Sequence, residues 1–314
     1  RRVFPVAVGP VITTICPCMY KRTSILRNDV VIWCRFTKGD CSVKVKITAD
    51  STCDLPQEFI DRYGIRIFPL YIVRDGEALR DGIDITPDDL YAYTQATGKL
   101  CGTAASTVAD YADGWRECLE ECDAVVHVAF SSELSVTCAN ARLAAEEVGS
   151  VYVVDSLNLS TGYGQLVLDA AIMASGGAGP QEIVAEIESL VPKMDVSFVL
   201  NTLDYLRKGG RCTAVQALGA NLLGIKPCIE VHDGKMGVAK KYRGKIEAAY
   251  HQYIRDRLQG RDDIDLRRVF ITDSGLPDDV RARLRETVLE CQPFKEVYNN
   301  PAGCTISGHR GPWC

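Results

Sequence analysis

The chain has 314 residues, 46% of them hydrophobic and 25% charged, with a net charge of −5. Those values describe a soluble globular protein, and the length predicts two domains, each with ample core. The acidic balance argues against a nucleic-acid partner, whose phosphates demand a basic surface, and no segment offers the ~20 uninterrupted apolar residues of a transmembrane span.

Residues 1–42 differ from the rest. Arg1-Arg2 and the apolar stretch after it superficially resemble a signal peptide, but Pro5 and Pro10 interrupt it and no Ala-x-Ala site follows. This segment reads as a disordered N-terminal extension. From Lys44 strand and helix patterns alternate. Val45–Ala49 reads as a strand ending in Asp50-Ser51-Thr52, and Pro56 opens a helix through Tyr63. Ile65–Val73 reads as a second strand, closed by the turn Asp75-Gly76. Thr86-Pro87-Asp88-Asp89 is a helix start, with a cap, a first-turn proline and early acids. Ser106/Thr107 start a helix through Cys118. The apolar run Ala124 to Phe130 reads as a buried strand, followed by a helix over about 136–147. Val151–Val154 is a strand, with helices after Thr161 and from Pro180. This alternation predicts a parallel sheet covered on both faces, a three-layer α/β/α domain over 43–195.

Residues 196–314 read differently. Pro227–Val231 and Met236–Tyr242, joined by His232-Asp233-Gly234-Lys235, predict a β-hairpin with an Asp-Gly turn. Helices over 203–208, 215–223, 245–258 and 277–289 and strands over 196–200, 268–272 and 295–298 complete a smaller two-layer, mixed-sheet α+β domain. The fold class is thus α/β in two domains.

Fourteen cysteines are scattered without a Cys-x-x-Cys pair, and the four histidines lie far apart in sequence. The spacings of a zinc site are missing, and these cysteines read as small core residues in a reducing compartment. Gly162-Tyr163-Gly164 begins a dinucleotide-binding pattern, but Val167 stands where its third glycine belongs. No phosphate-binding P-loop and no Gly-x-Ser-x-Gly motif occurs.

The strand after residue 124 hands over to a helix through Ser131, Ser132, Ser135 and Thr137. Such a junction gathers backbone N–H groups and hydroxyl donors that suit an oxyanion, although serines there also serve as ordinary helix caps. Asp50-Ser51-Thr52, Asp155-Ser156 and the pair Thr103 and Ser106 end or precede neighbouring elements. In a parallel sheet all of these should converge on one rim. Arg211, beside Gly209-Gly210, and Arg243, after the hairpin, are the cations best placed for an anion.

These blocks resemble the DegV family. The resemblance lies in Ile47 to Thr52 with Asp54-Leu55-Pro56, Asp81-Gly82-Ile83-Asp84, Phe130 to Ser135, Val154-Asp155-Ser156, Leu206 to Arg211 and Ile225-Lys226-Pro227, in consistent order over roughly 44–314. It implies a cytoplasmic protein that holds a long-chain fatty acid between two domains and presents its carboxylate to a separate ATP-dependent kinase. The acyl phosphate made there serves phospholipid synthesis. It implies no catalysis by this chain, no metal and no cofactor other than the bound acid. By the same resemblance Thr103, Ser135, Arg211, Arg243 and His309 bind the ligand, and Ser132 of the serine-lined junction is expected to join them.

Three departures stand out. Val136 replaces the family's glycine in Leu-Ser-Gly-Thr, and its branched side chain is expected to crowd the headgroup. Ala104-Ala105 replace Ser-Gln, removing a donor. Trp313-Cys314 end the sequence where the family continues with a last strand, so a C-terminal truncation is expected. The competing readings are a hydrolase using Ser135 and His309, and a lipid-sensing regulatory module.

Overall fold

The computed structural model of the chain describes residues 6–7, 11–12, 43–211 and 224–312. Two dipeptide strands, β1 (Val6–Ala7) and β2 (Val11–Ile12), pair antiparallel. The rest of the expected N-terminal extension lies outside the described residues.

The first half is built on a four-stranded parallel sheet. Strand β3 (Val45–Asp50) lies between β4 (Arg66–Phe68) and β8 (Ala124–Ala129), and β9 (Val151–Asp155) flanks β8, giving the order β4-β3-β8-β9. All six residues of β8 are buried, as expected of a strand covered on both faces. Helices α3 (Val108–Leu119) and α4 (Thr137–Val148) cover one face, packing Tyr111, Trp115, Ala141 and Ala144 over Phe68 and Val125. Helices α1 (Gln57–Tyr63), α5 (Thr161–Ser175) and α6 (Pro180–Leu190) cover the other. The arrangement is the three-layer α/β/α form.

The expected strand over 65–73 is two strands. Pro69 has no N–H to donate to a ladder, and the chain leaves the parallel sheet there. It resumes as β5 (Tyr71–Arg74), which pairs antiparallel with β6 (Glu77–Arg80) and β7 (Gly102–Ala104) in a small separate sheet. Asp75 and Gly76, at φ +49° and +91°, form the tight turn between β5 and β6. Helix α2 (Pro87–Thr97) follows, its N-cap Thr86 accepting from the Asp89 N–H at 3.3 Å while the Asp89 carboxylate accepts from the Thr86 N–H at 2.9 Å.

Helix α5 is buried all round from Thr161 to Ala171 because both halves pack on it. Thr161 Oγ1 lies 2.7 Å from Thr272 Oγ1 of the second half. A Cβ on Gly164 would run into the Cys53 carbonyl and one on Gly162 into Val196. These two glycines therefore serve close helix packing, not a nucleotide.

The second half carries β10 (Val196–Val199), α7 (Asp204–Gly209), β11 (Ile225–His232), β12 (Lys235–Arg243), α8 (Ile246–Leu258), β13 (Arg268–Asp273), α9 (Asp278–Cys291), β14 (Glu296–Pro301) and α10 (Cys304–Arg310). Strands β10-β11-β12 are antiparallel, whereas β13 and β14 pair in parallel. Among the described residues these form two sheets, not the single mixed sheet expected. Helices α8 and α9 bury Tyr250, Tyr253, Leu284 and Val288 against Val269 and Ile271. The helix expected over 215–223 lies outside the described residues.

Candidate functional site

The site begins at the carboxyl ends of the parallel strands. Asp50, the last residue of β3, is fully buried and accepts hydrogen bonds from the Phe130 N–H at 2.8 Å and from the Tyr111 hydroxyl. Burial pushes its carboxyl up to about 6, with the bonds from Tyr111 and Phe130 pulling the other way. Asp50 thereby fixes the start of the loop after β8. Within that loop the Ser135 N–H bonds to Ser131 O at 3.1 Å, and Ser135 Oγ accepts from the Thr137 N–H at 3.3 Å. The Ser135 hydroxyl proton is left to donate elsewhere.

The second half meets this loop through the tip of its hairpin. Ser131 Oγ donates to Gly234 O at 3.2 Å, and Lys235 pairs with Glu133 at 3.3 Å. Gly234 has φ +79°, and a Cβ there would lie 2.7 Å from Ser131 Oγ, so the close approach requires glycine.

Helix α10 supplies the opposite wall. Its first amides are held by two buried carboxylates. Asp81 accepts from the N–H groups of Cys304 at 2.8 Å and Thr305 at 3.0 Å, and Asp54 accepts from that of Gly303 at 2.8 Å. Burial pushes Asp54 up to about 7, opposed by Ser160, Gly303 and the charge of Arg310. Held in this way, α10 turns Thr305, Ile306, His309 and Arg310 toward an interior cavity.

That cavity is narrow and partly open, with about 60 Å³ accessible to the centre of a water-sized sphere. Phe130, Leu134, Leu159, Phe198, Leu206 and Met236 make most of its wall apolar. Four of the residues expected at the site, Thr103, Ser135, Arg211 and His309, line it together. Three of them, Thr103, Arg211 and His309, also line an outer depression that carries Lys99 and Lys208. The polar group thus stands between an apolar interior and a basic surface.

His309 Nε2 lies 3.4 Å from Thr103 Oγ1, and the other edge of its ring rests on Gly209, where a Cβ would overlap it. Burial, with the charge of Arg211 in support, pushes the imidazole down to about 4. Arg211 is exposed, and its Nη1 donates to Gly209 O at 2.7 Å. Donors of this kind around an apolar chamber suit an anion with a long apolar tail.

Two expected ligands are elsewhere. Ser132 is exposed and outside the cavity wall. The residue before it, Ser131, turns inward, and the Ser132 N–H is bound to Asp155 Oδ1 at 3.2 Å. Arg243 is exposed at the end of β12, opposite Ile225, and is also outside the wall. Val136 is 63% exposed and does not line the cavity, so the expected crowding does not occur. The expected convergence of all hydroxyl groups on one rim fails as well. Ser51 donates to Asp81, Thr52 pairs with Tyr163, Ser106 donates to Pro69 O and Ser156 to Asn158 O. Those four hold loops together, as capping residues do. Ser135 has no hydrogen bond to His309 among the described residues, its partner being the Thr137 N–H, which leaves the hydrolase reading without an activated nucleophile.

The sequence reading missed Arg310. It is 2% exposed, lines the cavity, and its guanidinium sits 4.5 Å from the centroid of the Phe198 ring. A charged residue beside a Gly-Pro pair reads as solvated surface, and the only available signal was its position next to His309.

Comparison with known proteins agrees with this geometry. A model of a family described as uncharacterised protein, DegV family, matches residues 44–313. A DegV domain-containing protein of Caldanaerobacter subterraneus is 32% identical, over 86% of this chain and 96% of its own. A fatty acid-binding protein of Thermotoga maritima is 31% identical, over 86% and 95%. A solved fatty-acid-binding DegV family protein from Thermus thermophilus superposes with a TM-score of 0.74 at 32% identity, covering 86% and 96%.

Proposed function

The chain belongs to the DegV family, and on that premise we propose that it binds a long-chain fatty acid in the cavity and presents the carboxylate to a separate ATP-dependent kinase. One observation carries the reading. Thr103, Arg211 and His309 line both the apolar cavity and the basic outer depression. An acid whose tail fills the interior has its carboxylate at that boundary, among hydroxyl, imidazole and guanidinium donors. Burial at ~25 cal/mol per Å² lets the tail bind without polar contacts.

The carboxylate then faces a depression that also holds Lys99 and Lys208, which suits a phosphoryl donor approaching from outside. The chain is the carrier in this scheme and the kinase makes the acyl phosphate, which places the pair in the cytoplasm with ATP. Arg211, exposed and on the outer side, serves the transfer more than the uptake.

Native mass spectrometry of the purified protein is expected to find a co-purified long-chain acid. Arg211→Ala is then expected to retain acid uptake while phosphorylation by a fatty acid kinase falls steeply. Failure of the protein to bind palmitate or oleate would sink the carrier reading. Equal loss of uptake and phosphorylation in Arg211→Ala would remove the assigned role of the arginine.

A further inference from the structure

A plain hydrocarbon tail does not account for the whole cavity wall. Inward of the carboxylate-binding group, lining the cavity but not the outer depression, are two further polar side chains, Thr305 and Arg310. Thr305 is 2% exposed, and its Oγ1 has no hydrogen-bond partner among the described residues. A buried hydroxyl left unsatisfied is destabilising, because it has given up its water without a replacement partner. A helical threonine can bond back to the carbonyl one turn earlier, but no such bond is made here. Arg310 brings a guanidinium, charged at any ordinary pH, to the same wall against the face of Phe198.

Position along α10 says where on a ligand these groups act. Thr305 and His309 are four residues apart and share a helix face, so they are separated by about one turn, ~5.4 Å. An acid whose carboxylate is at His309 carries its first few carbons past Thr305. Ile306 and Arg310 form the adjoining stripe by the same spacing. An oxygen a few carbons from the carboxylate therefore lies within reach of both polar groups. A hydroxyl there accepts from the guanidinium and donates to, or accepts from, Thr305 Oγ1. A methylene in its place leaves Thr305 Oγ1 without a partner.

We infer that the ligand is an oxygenated fatty acid, with a hydroxyl close to the carboxyl end as in a 3-hydroxy acid, and that Thr305 and Arg310 select it. This rests on the fatty-acid reading above and specifies its substrate class.

The test is a competition assay on the full chain with palmitate and 3-hydroxypalmitate as probes. The wild-type protein is expected to bind the hydroxy acid about tenfold more tightly, the range of one or two net hydrogen bonds. Thr305→Val, close to isosteric, is expected to bind palmitate more tightly and to lose most of the preference. Arg310→Met is expected to lose it as well. Tighter or equal binding of palmitate by the wild type overturns the inference while leaving the carrier function standing. So does a preference that survives Thr305→Val, a variant that keeps the test decisive even if Arg310→Met fails to fold. Binding of neither acid by the wild type overturns both readings.

Discussion

His309 is the group whose charge answers most directly to the ligand. Burial holds its imidazole down to about 4, so it is neutral near pH 7. A carboxylate brought within hydrogen-bond reach works in the opposite direction and favours the imidazolium. Uptake of the acid is therefore expected to draw a proton onto His309 and to tighten as pH falls from 8 to 6. Affinities measured across that range check this, and His309→Gln should flatten the slope. Folding carries its own signature. A histidine depressed from 6.5 to about 4 contributes stability that is present above 6.5 and lost as pH falls through 4. Asp54, raised from 3.8 to about 7, has the opposite sign, with stability present below 3.8 and lost as pH rises through 7. What could be read from residue types alone divides on the same physical ground. Thr103, Ser135 and Arg211 stand at element ends or beside a glycine turn, which is a pattern visible in the sequence, whereas His309 was pointed to as a ligand by the family resemblance alone; the four share one cavity wall. Ser132 and Arg243 fall outside the cavity wall because in a turn or at a strand end a single residue's offset reverses the direction of a side chain. Arg310 was invisible because burial of a guanidinium follows from packing, not from its neighbours in sequence.

At the scale of elements the site depends on how α10 is held. A seven-residue helix is too short to be stable by itself, and most of its order comes from tertiary contacts. Here Asp81 takes two of its first amides and Asp54 the N–H just before them. Asp81→Ala is expected to cost about 1–3 kcal/mol by leaving buried N–H groups unpaired. Because Thr305, His309 and Arg310 all ride on α10, the same change should weaken fatty-acid binding. Urea denaturation and binding measured on one preparation check both effects, and full affinity in a destabilised variant would show that α10 is placed by packing alone. The block Asp81-Gly82-Ile83-Asp84 drew attention in the sequence, but nothing local showed that its first aspartate reaches a helix more than two hundred residues later. The element boundaries were legible where local chemistry sets them, as at the Thr86 cap and the Asp75-Gly76 turn. The break at Pro69 and the small sheet of β5, β6 and β7 were not, since the apolar run 65–73 looks continuous and only strand pairing separates its halves.

On the scale of the whole molecule, the cavity belongs to neither half. Leu70, Thr103, Phe130, Ser135 and Leu159 come from before residue 195, and Phe198, Leu206, Arg211, Met236 and the α10 residues from after it. The halves share one apolar core, in which Val126 and Val128 of β8, Leu166 of α5 and Phe198 of β10 are all buried. The three-layer form of the first half followed from periodicity, but which wall faces which across this core could not, because no local pattern encodes it. An acid lying in the cavity touches both walls, and the unfolded chain offers neither. Binding to the folded state alone adds about 2.7 kcal/mol of stability at a free-ligand concentration a hundred times Kd. For a folded region of this size that corresponds to roughly 5–10 °C in Tm. The delipidated protein is expected to show that rise with palmitate as a single sharpened transition, since the ligand ties both halves to one event. Scanning calorimetry distinguishes the alternatives. Two transitions with only one moved by palmitate would mean that the acid contacts a single half, and the cavity between them would not be its site.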